Sequence, residues 1–150
     1  MPVLDHGGVF VIEALAIVGY IDEAFDGPAL QPADLDGRTR MREWLSICAD
    51  YVYRDVVRTI PRDRTPTEEE RQTARTLLER LDARLDAAPF ILGECISLAD
   101  LYLAPQVSNA REKAPEVLDS LGPLERWAAG MAERESFKST SYDSAALRRG

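Results

Sequence analysis

Phe90-Ile91-Leu92-Gly93-Glu94-Cys95-Ile96-Ser97-Leu98-Ala99-Asp100-Leu101 spells a complete helix start around Ser97, and the rest of the chain can be read from it. Ser97 can accept a hydrogen bond from the Asp100 amide, while Asp100, at the third helical position, can reach back to the Ser97 amide. Ile96 can pack on Leu101 as a hydrophobic staple. Cap, box and staple therefore coincide, although Asp is a shorter arm than the Glu or Gln that usually closes such a box. Many ordinary helices begin this way, so the box by itself assigns nothing.

Outward from the box the chain reads helical on both sides. Downstream, the Ser97 helix carries Pro105 as an interior kink point, and Gly122-Pro123 introduces a last helix with Leu124, Trp127 and Met131 on one face. The tail from Ser139 onward is polar and rich in small residues, a composition expected to fray. Upstream, Thr65-Pro66-Thr67-Glu68 offers a capping box with Pro at the first helical position, opening a helix with the stripe Ala74, Leu77, Leu78, Leu81 and Leu85 that Pro89 closes. From about Asp36 to Ile60 the stripe Met41, Trp44, Leu45, Cys48, Val52 and Val56 predicts one long helix ended by Pro61. Asp26-Gly27-Pro28-Ala29-Leu30-Gln31-Pro32 is punctuated as a linker. Before it, Met1-Pro2-Val3-Leu4, a break at Asp5-His6-Gly7-Gly8, and Val9-Phe10-Val11-Ile12 predict a hairpin, after which Ala14, Ile17, Val18, Ile21 and Phe25 recur with helical spacing.

Composition bounds the function. With 150 residues, 45% hydrophobic and 29% charged, the chain is sized for one or two small globular domains. A net charge of −8 disfavours a nucleic-acid backbone or an anionic membrane as partner, and the arginines are dispersed among acids. No apolar run reaches transmembrane length and the N-terminus lacks signal-peptide order, so a cytoplasmic protein is expected. Cys48 and Cys95 have no C-x-x-C spacing and read as two reduced, buried thiols rather than a disulfide or zinc pair. No His/Cys/carboxylate cluster suggests a metal.

Little in the sequence carries nucleophilic chemistry. His6 is the only histidine, lies in the expected turn, and is read as structural or solvated. Glu68-Glu69-Glu70 is better explained as favourable charge at a helix N-terminus than as a catalytic carboxylate pair. Glu13 stands at the start of the helix after the hairpin. There, free first-turn amides can hold a carboxylate and the Glu13 side chain can pair with an ammonium, the two groups of an α-amino-acid end; the plainer alternative is a helix-start acid. On the long helix, Arg42, Ser46, Ala49 and Tyr53 share a flank that can wall a cleft, with Arg42 and Tyr53 as candidate wall residues and a solvated helix edge as the plain alternative. Trp44 and Trp127 fall on apolar stripes and read as core or interface.

Ile91-Leu92-Gly93 before the box and Ala99-Asp100-Leu101-Tyr102-Leu103-Ala104-Pro105 after it resemble the N-capping box and staple of the glutathione S-transferase C-terminal domain. The run from Pro2 through Glu13 and Ala14 is similar to that family's P-x-L…E-S-A-I segment, with Ala14 where the family has Ser. The resemblance, from Pro2 to roughly Phe137, implies a mainly α fold: residues 1–27 as the end (β-hairpin plus helix) of a thioredoxin-like α/β domain, 28–35 as linker, and 36–150 as an all-α helical domain. It also implies that glutathione binds through Met1, Pro2, Glu13 and Ala14, a cis-proline turning Met1 towards the cysteinyl backbone and Glu13 with the Ala14 amide taking the γ-glutamyl end. Ile96, Ser97, Asp100 and Leu101 are implied to be scaffold. A homodimer through the helices at 13–25 and 36–60 follows from the same likeness. Pro105-Gln106-Val107…Asn109-Ala110 resembles the maleylacetoacetate isomerase branch, which does not assign a subclass.

The family's first strand, first helix and second strand carry the Tyr, Ser or Cys that stabilises the glutathione thiolate, and the given sequence starts beyond them. Three expectations follow. The chain is part of a longer transferase that conjugates glutathione to an apolar electrophile, inactive as these 150 residues alone; or it is a non-catalytic scaffold module of the same fold; or it is a degenerate fragment.

Overall fold

Pairing in the hairpin is set by two glycines. In the computed structural model, which describes residues 2–140, strands β1 (Val3–His6) and β2 (Val9–Ile12) run antiparallel with Leu4 opposite Val11 and His6 opposite Val9. Gly7 and Gly8 both take positive φ, 61° and 88°, as a two-residue hairpin loop requires. The turn is thus shorter than the expected break: Asp5 and His6 remain in the strand, and Asp5 accepts the Gly8 N–H at 3.2 Å. His6 is therefore a strand residue, its Nδ1 3.0 Å from the Tyr20 hydroxyl and its ring 4.8 Å from that of Phe25. Helix α1 (Ala14–Ala24) follows directly, with Val18 packed on the main core while Ile21 and Phe25 stay exposed.

The linker is held at three points. Asp22 on α1 accepts the Leu30 N–H at 2.8 Å and the Gln31 amide at 3.2 Å, and the Leu30 carbonyl accepts the Leu98 N–H at 3.1 Å. Helix α2 (Leu35–Ile47) is capped by Asp34, which takes the Gly37 N–H at 2.7 Å. Any side chain at Gly37 would collide with Pro32, since a Cβ there would stand 2.6 Å from the proline Cβ. The single helix expected over 36–60 divides: α2 passes at Cys48 into a π-helical stretch (Cys48–Val57), closed by the Arg58 N–H to the Tyr53 carbonyl at 2.9 Å. The buried positions Cys48, Val52 and Val56 recur every four residues. On an α-helix of 3.6 residues per turn that row drifts off the face, and the wider turn limits the drift.

Helix α3 (Glu68–Asp82) begins two residues later than the sequence suggests. Both Thr65…Glu68 and Thr67…Glu70 satisfy the box pattern, and the second forms: Glu70 takes the Thr67 N–H at 2.7 Å and Thr67 Oγ1 takes the Glu70 N–H at 3.3 Å. Arg64 forks onto both Glu70 oxygens at 2.5 and 2.8 Å, and Pro66 is buried ahead of the cap instead of opening the helix. Helix α3 also ends before Pro89, at Asp82, whose carboxylate accepts the Leu124 N–H at 2.8 Å. Helix α4 (Leu98–Lys113) runs through Pro105; a 3-10 turn (Pro115–Leu118), α5 (Gly122–Ala132) and α6 (Glu135–Thr140) complete the described chain. The expected fraying tail falls mostly on 141–150, outside the described residues.

One core joins these helices. Met41, Trp44, Cys48, Val52 and Val56 meet Ala74, Leu78 and Leu81 of α3, Leu103 and Val107 of α4, and Leu124, Trp127 and Met131 of α5. The molecule is mainly α, with the hairpin packed on α1 and α1 packed on α4.

Candidate functional site

The start of α4 is built as the box predicts. The Ser97 N–H and hydroxyl both donate to Asp100 Oδ2, at 2.9 and 2.8 Å, and the cap is buried. Two further donors converge on Oδ1: the Ile91 N–H at 2.8 Å and the Trp127 indole N–H at 2.9 Å. A carboxylate fully removed from solvent thereby receives four hydrogen bonds, which offset its lost hydration. Ile96 packs on the core, whereas Leu101 stays partly exposed. These residues start the helix that faces α1, with Ser97 and Asp100 buried.

Glu13 is the local anomaly. It caps α1 with φ 70° and ψ 126°, a conformation that a residue with a Cβ rarely adopts, and its carbonyl accepts the Ile17 N–H at 2.9 Å. Among the described residues no side chain caps the first turn, which leaves its amides without a side-chain partner, and the Glu13 side chain is exposed. Ala14 follows as the first helical residue, half-buried; Pro2 is exposed; Met1 lies outside the described residues.

Tyr53 projects from the π-helical stretch, 51% exposed, with no side-chain hydrogen bond among the described residues. Arg42 is exposed on α2 and likewise makes no ion pair among the described residues. A third residue joins that sequence reading missed: Tyr102, half-buried on α4. Burial pushes its hydroxyl pKa up, and the nearby Cys48, Glu13 and Tyr53 add to the shift, so Tyr102 lies near both Glu13 and Tyr53. Its only local signal was its place two residues after Asp100, on the helix that meets α1.

Cys48 is buried, its thiol pushed up to about 12 by desolvation and then by the Asp100 charge, so it is no nucleophile. Cys95, expected buried, is exposed on the loop before α4. Among the described residues no group of three or more His, Cys, Asp or Glu is arranged to hold a metal ion, and no helix is long and apolar enough to cross a membrane.

The described chain is thus an α-helical bundle preceded by a β-hairpin and helix. Residues 65–129 match the family described as glutathione S-transferase, C-terminal domain. A probable glutathione S-transferase of Nicotiana tabacum is 34% identical over 101 residues, 67% of this chain and 45% of the relative. A maleylpyruvate isomerase of Ralstonia sp is 31% identical over 124 residues, covering 74% and 58%. A glutathione S-transferase of class Gtt2 from Vibrio parahaemolyticus superposes with a TM-score of 0.77 at 25% identity, over 93% of this chain and 70% of the other. The chain belongs to the glutathione S-transferase superfamily, and it spans about half the length of the curated relatives it matches.

Proposed function

We propose that the chain is the helical part of a glutathione S-transferase, with residues 1–27 as the end of a thioredoxin-like half, and that it binds glutathione at the start of α1. The observation that carries this reading is Glu13: a strained, exposed carboxylate beside open first-turn amides, a place for an α-amino-acid end. Glu13 takes the ammonium, the Ala14 amide takes the carboxylate, and Met1 and Pro2 pair with the cysteinyl backbone. Tyr53 and Tyr102 wall the side where an apolar electrophile approaches, with Arg42 further along the same helix. The hydroxyl that Ser would supply is absent at Ala14, which weakens binding by about 0.5–1.5 kcal/mol. Conjugation itself requires a group that stabilises the thiolate, and no residue here is assigned that role. The reading includes a cytoplasmic homodimer joined through the segments 13–25 and 36–60.

Calorimetric titration with glutathione tests the site. Glu13→Ala is expected to weaken binding by about ten- to a hundredfold, the worth of a hydrogen bond to a charged group. Unchanged affinity refutes the assignment. A scaffold role is the second reading, and the uncovered apolar face of the hairpin favours it: Val3, Phe10 and Ile12 are 61%, 70% and 51% exposed.

A further inference from the structure

Helix α1, which carries Glu13 at its head, is lightly seated on the bundle. None of its residues is fully buried, and among the described residues Val18 is the one hydrophobic side chain it packs against the main core. Little apolar area leaves water there, so burial gives the helix little purchase. Polar contacts at its other end make up the difference. Asp22, half-buried in the last turn, accepts the Leu30 N–H at 2.8 Å through Oδ1 and the Gln31 side-chain amide at 3.2 Å through Oδ2.

Leu30 carries the contact onward. Its side chain packs on the core, and its carbonyl accepts the Leu98 N–H at 3.1 Å. Leu98 is the first residue of α4 and is buried, and the Ser97–Asp100 box leaves its amide unpaired. Leu30 thus supplies the acceptor that a buried helix-start donor requires. One carboxylate thereby ties the end of α1, through a linker residue, to the start of α4. Tyr102 stands one turn beyond Leu98 on α4 and lies near Glu13. At about 1.5 Å per residue, Asp22 stands about 14 Å along α1 from Glu13, too far to touch an α-amino-acid end held there.

We propose that Asp22 is a positioning residue for the glutathione site: by holding Leu30 against the start of α4, it sets the separation of Glu13 from Tyr102. This role rests on the glutathione reading of Glu13. Amide exchange followed by NMR without ligand, and calorimetric titration with glutathione, test it on the full chain. In Asp22→Ala, exchange at the Leu98 amide is expected to quicken by about tenfold or more, while Leu78 in the core of α3 exchanges as in the native chain. Glutathione affinity is expected to fall about tenfold in Asp22→Ala, the worth of one hydrogen bond. In Asp22→Asn, whose amide oxygen can still accept the Leu30 N–H, it is expected to return to within about threefold of native. Glu13→Ala is expected to weaken glutathione binding and to leave exchange at Leu98 unchanged. Unchanged exchange at Leu98 in Asp22→Ala, equal quickening at Leu78, or no recovery in Asp22→Asn overturns the proposal. Native affinity in Asp22→Ala, with binding weakened in Glu13→Ala, overturns it and spares the glutathione reading; native affinity in Glu13→Ala overturns both.

Discussion

Asp100 shows how one buried group can organise a molecule. Its four donors come from three separate segments, the loop at Ile91, the cap at Ser97 and α5 at Trp127. Trp127→Phe keeps most of the ring packing and removes one donor to a buried carboxylate, so it should cost about 1–3 kcal/mol in chemical denaturation followed by circular dichroism. Ser97→Ala should cost about 0.5–2 kcal/mol, and glutathione affinity should be unchanged in both. The two thiols separate just as cleanly. A thiol reagent at neutral pH should modify Cys95 alone, Cys48 reacting only on unfolding. Because the folded Cys48 pKa of about 12 lies above its ordinary 9.0, the unfolded chain releases that proton first, and stability should fall as pH rises from 9 towards 12. The Ser97–Asp100 pairing was legible because it is local, three residues within one turn. Trp127 was not, since 27 residues separate it from Asp100 and only the packed bundle brings them together. Tyr102 escaped for the same reason: the groups that mark it belong to α1 and to the π-helical stretch.

At the scale of elements, punctuation was readable and its phase was not. Two overlapping boxes precede α3, and Arg64 selects the second by gripping Glu70, whose carboxyl is held at about 2 by Arg64 and by the Thr67 amide. Thr67→Ala should therefore cost about 0.5–2 kcal/mol in thermal or denaturant unfolding. Thr65→Ala should stay within about 0.5 kcal/mol. An equal loss from both would mean that the helix starts where the sequence alone suggests. The π-helical stretch was beyond a period count, because a stripe every four residues is read as ordinary α drift until neighbouring helices fix which side chains must face inward.

The whole molecule has a closed side and an open one. The bundle shares one core, whereas the two-stranded hairpin packs a single face on α1 and leaves Val3, Phe10 and Ile12 uncovered. Strand alternation puts these three on the same side, opposite Leu4 and Val11. Static light scattering at micromolar concentration should return twice the chain mass if the proposed homodimer through 13–25 and 36–60 forms; the mass of one chain would contradict it. The helical domain could be recognised from its caps and stripes, each set by neighbours within a few turns. The proposed site could not be assembled that way, because Glu13, Tyr53 and Tyr102 stand at the start of α1, in the 48–57 stretch and on α4, far apart along the chain.

Glu13 carries a conflict of interest within a single codon. Its positive φ is one that glycine adopts freely, so Glu13→Gly should relieve the strain and leave the fold more stable by about 1 kcal/mol, while deleting the carboxylate assigned to the ligand. Under the proposed glutathione site, stability and affinity are thus set against each other at one position, and denaturation and titration of the Glu13→Gly variant should move in opposite directions.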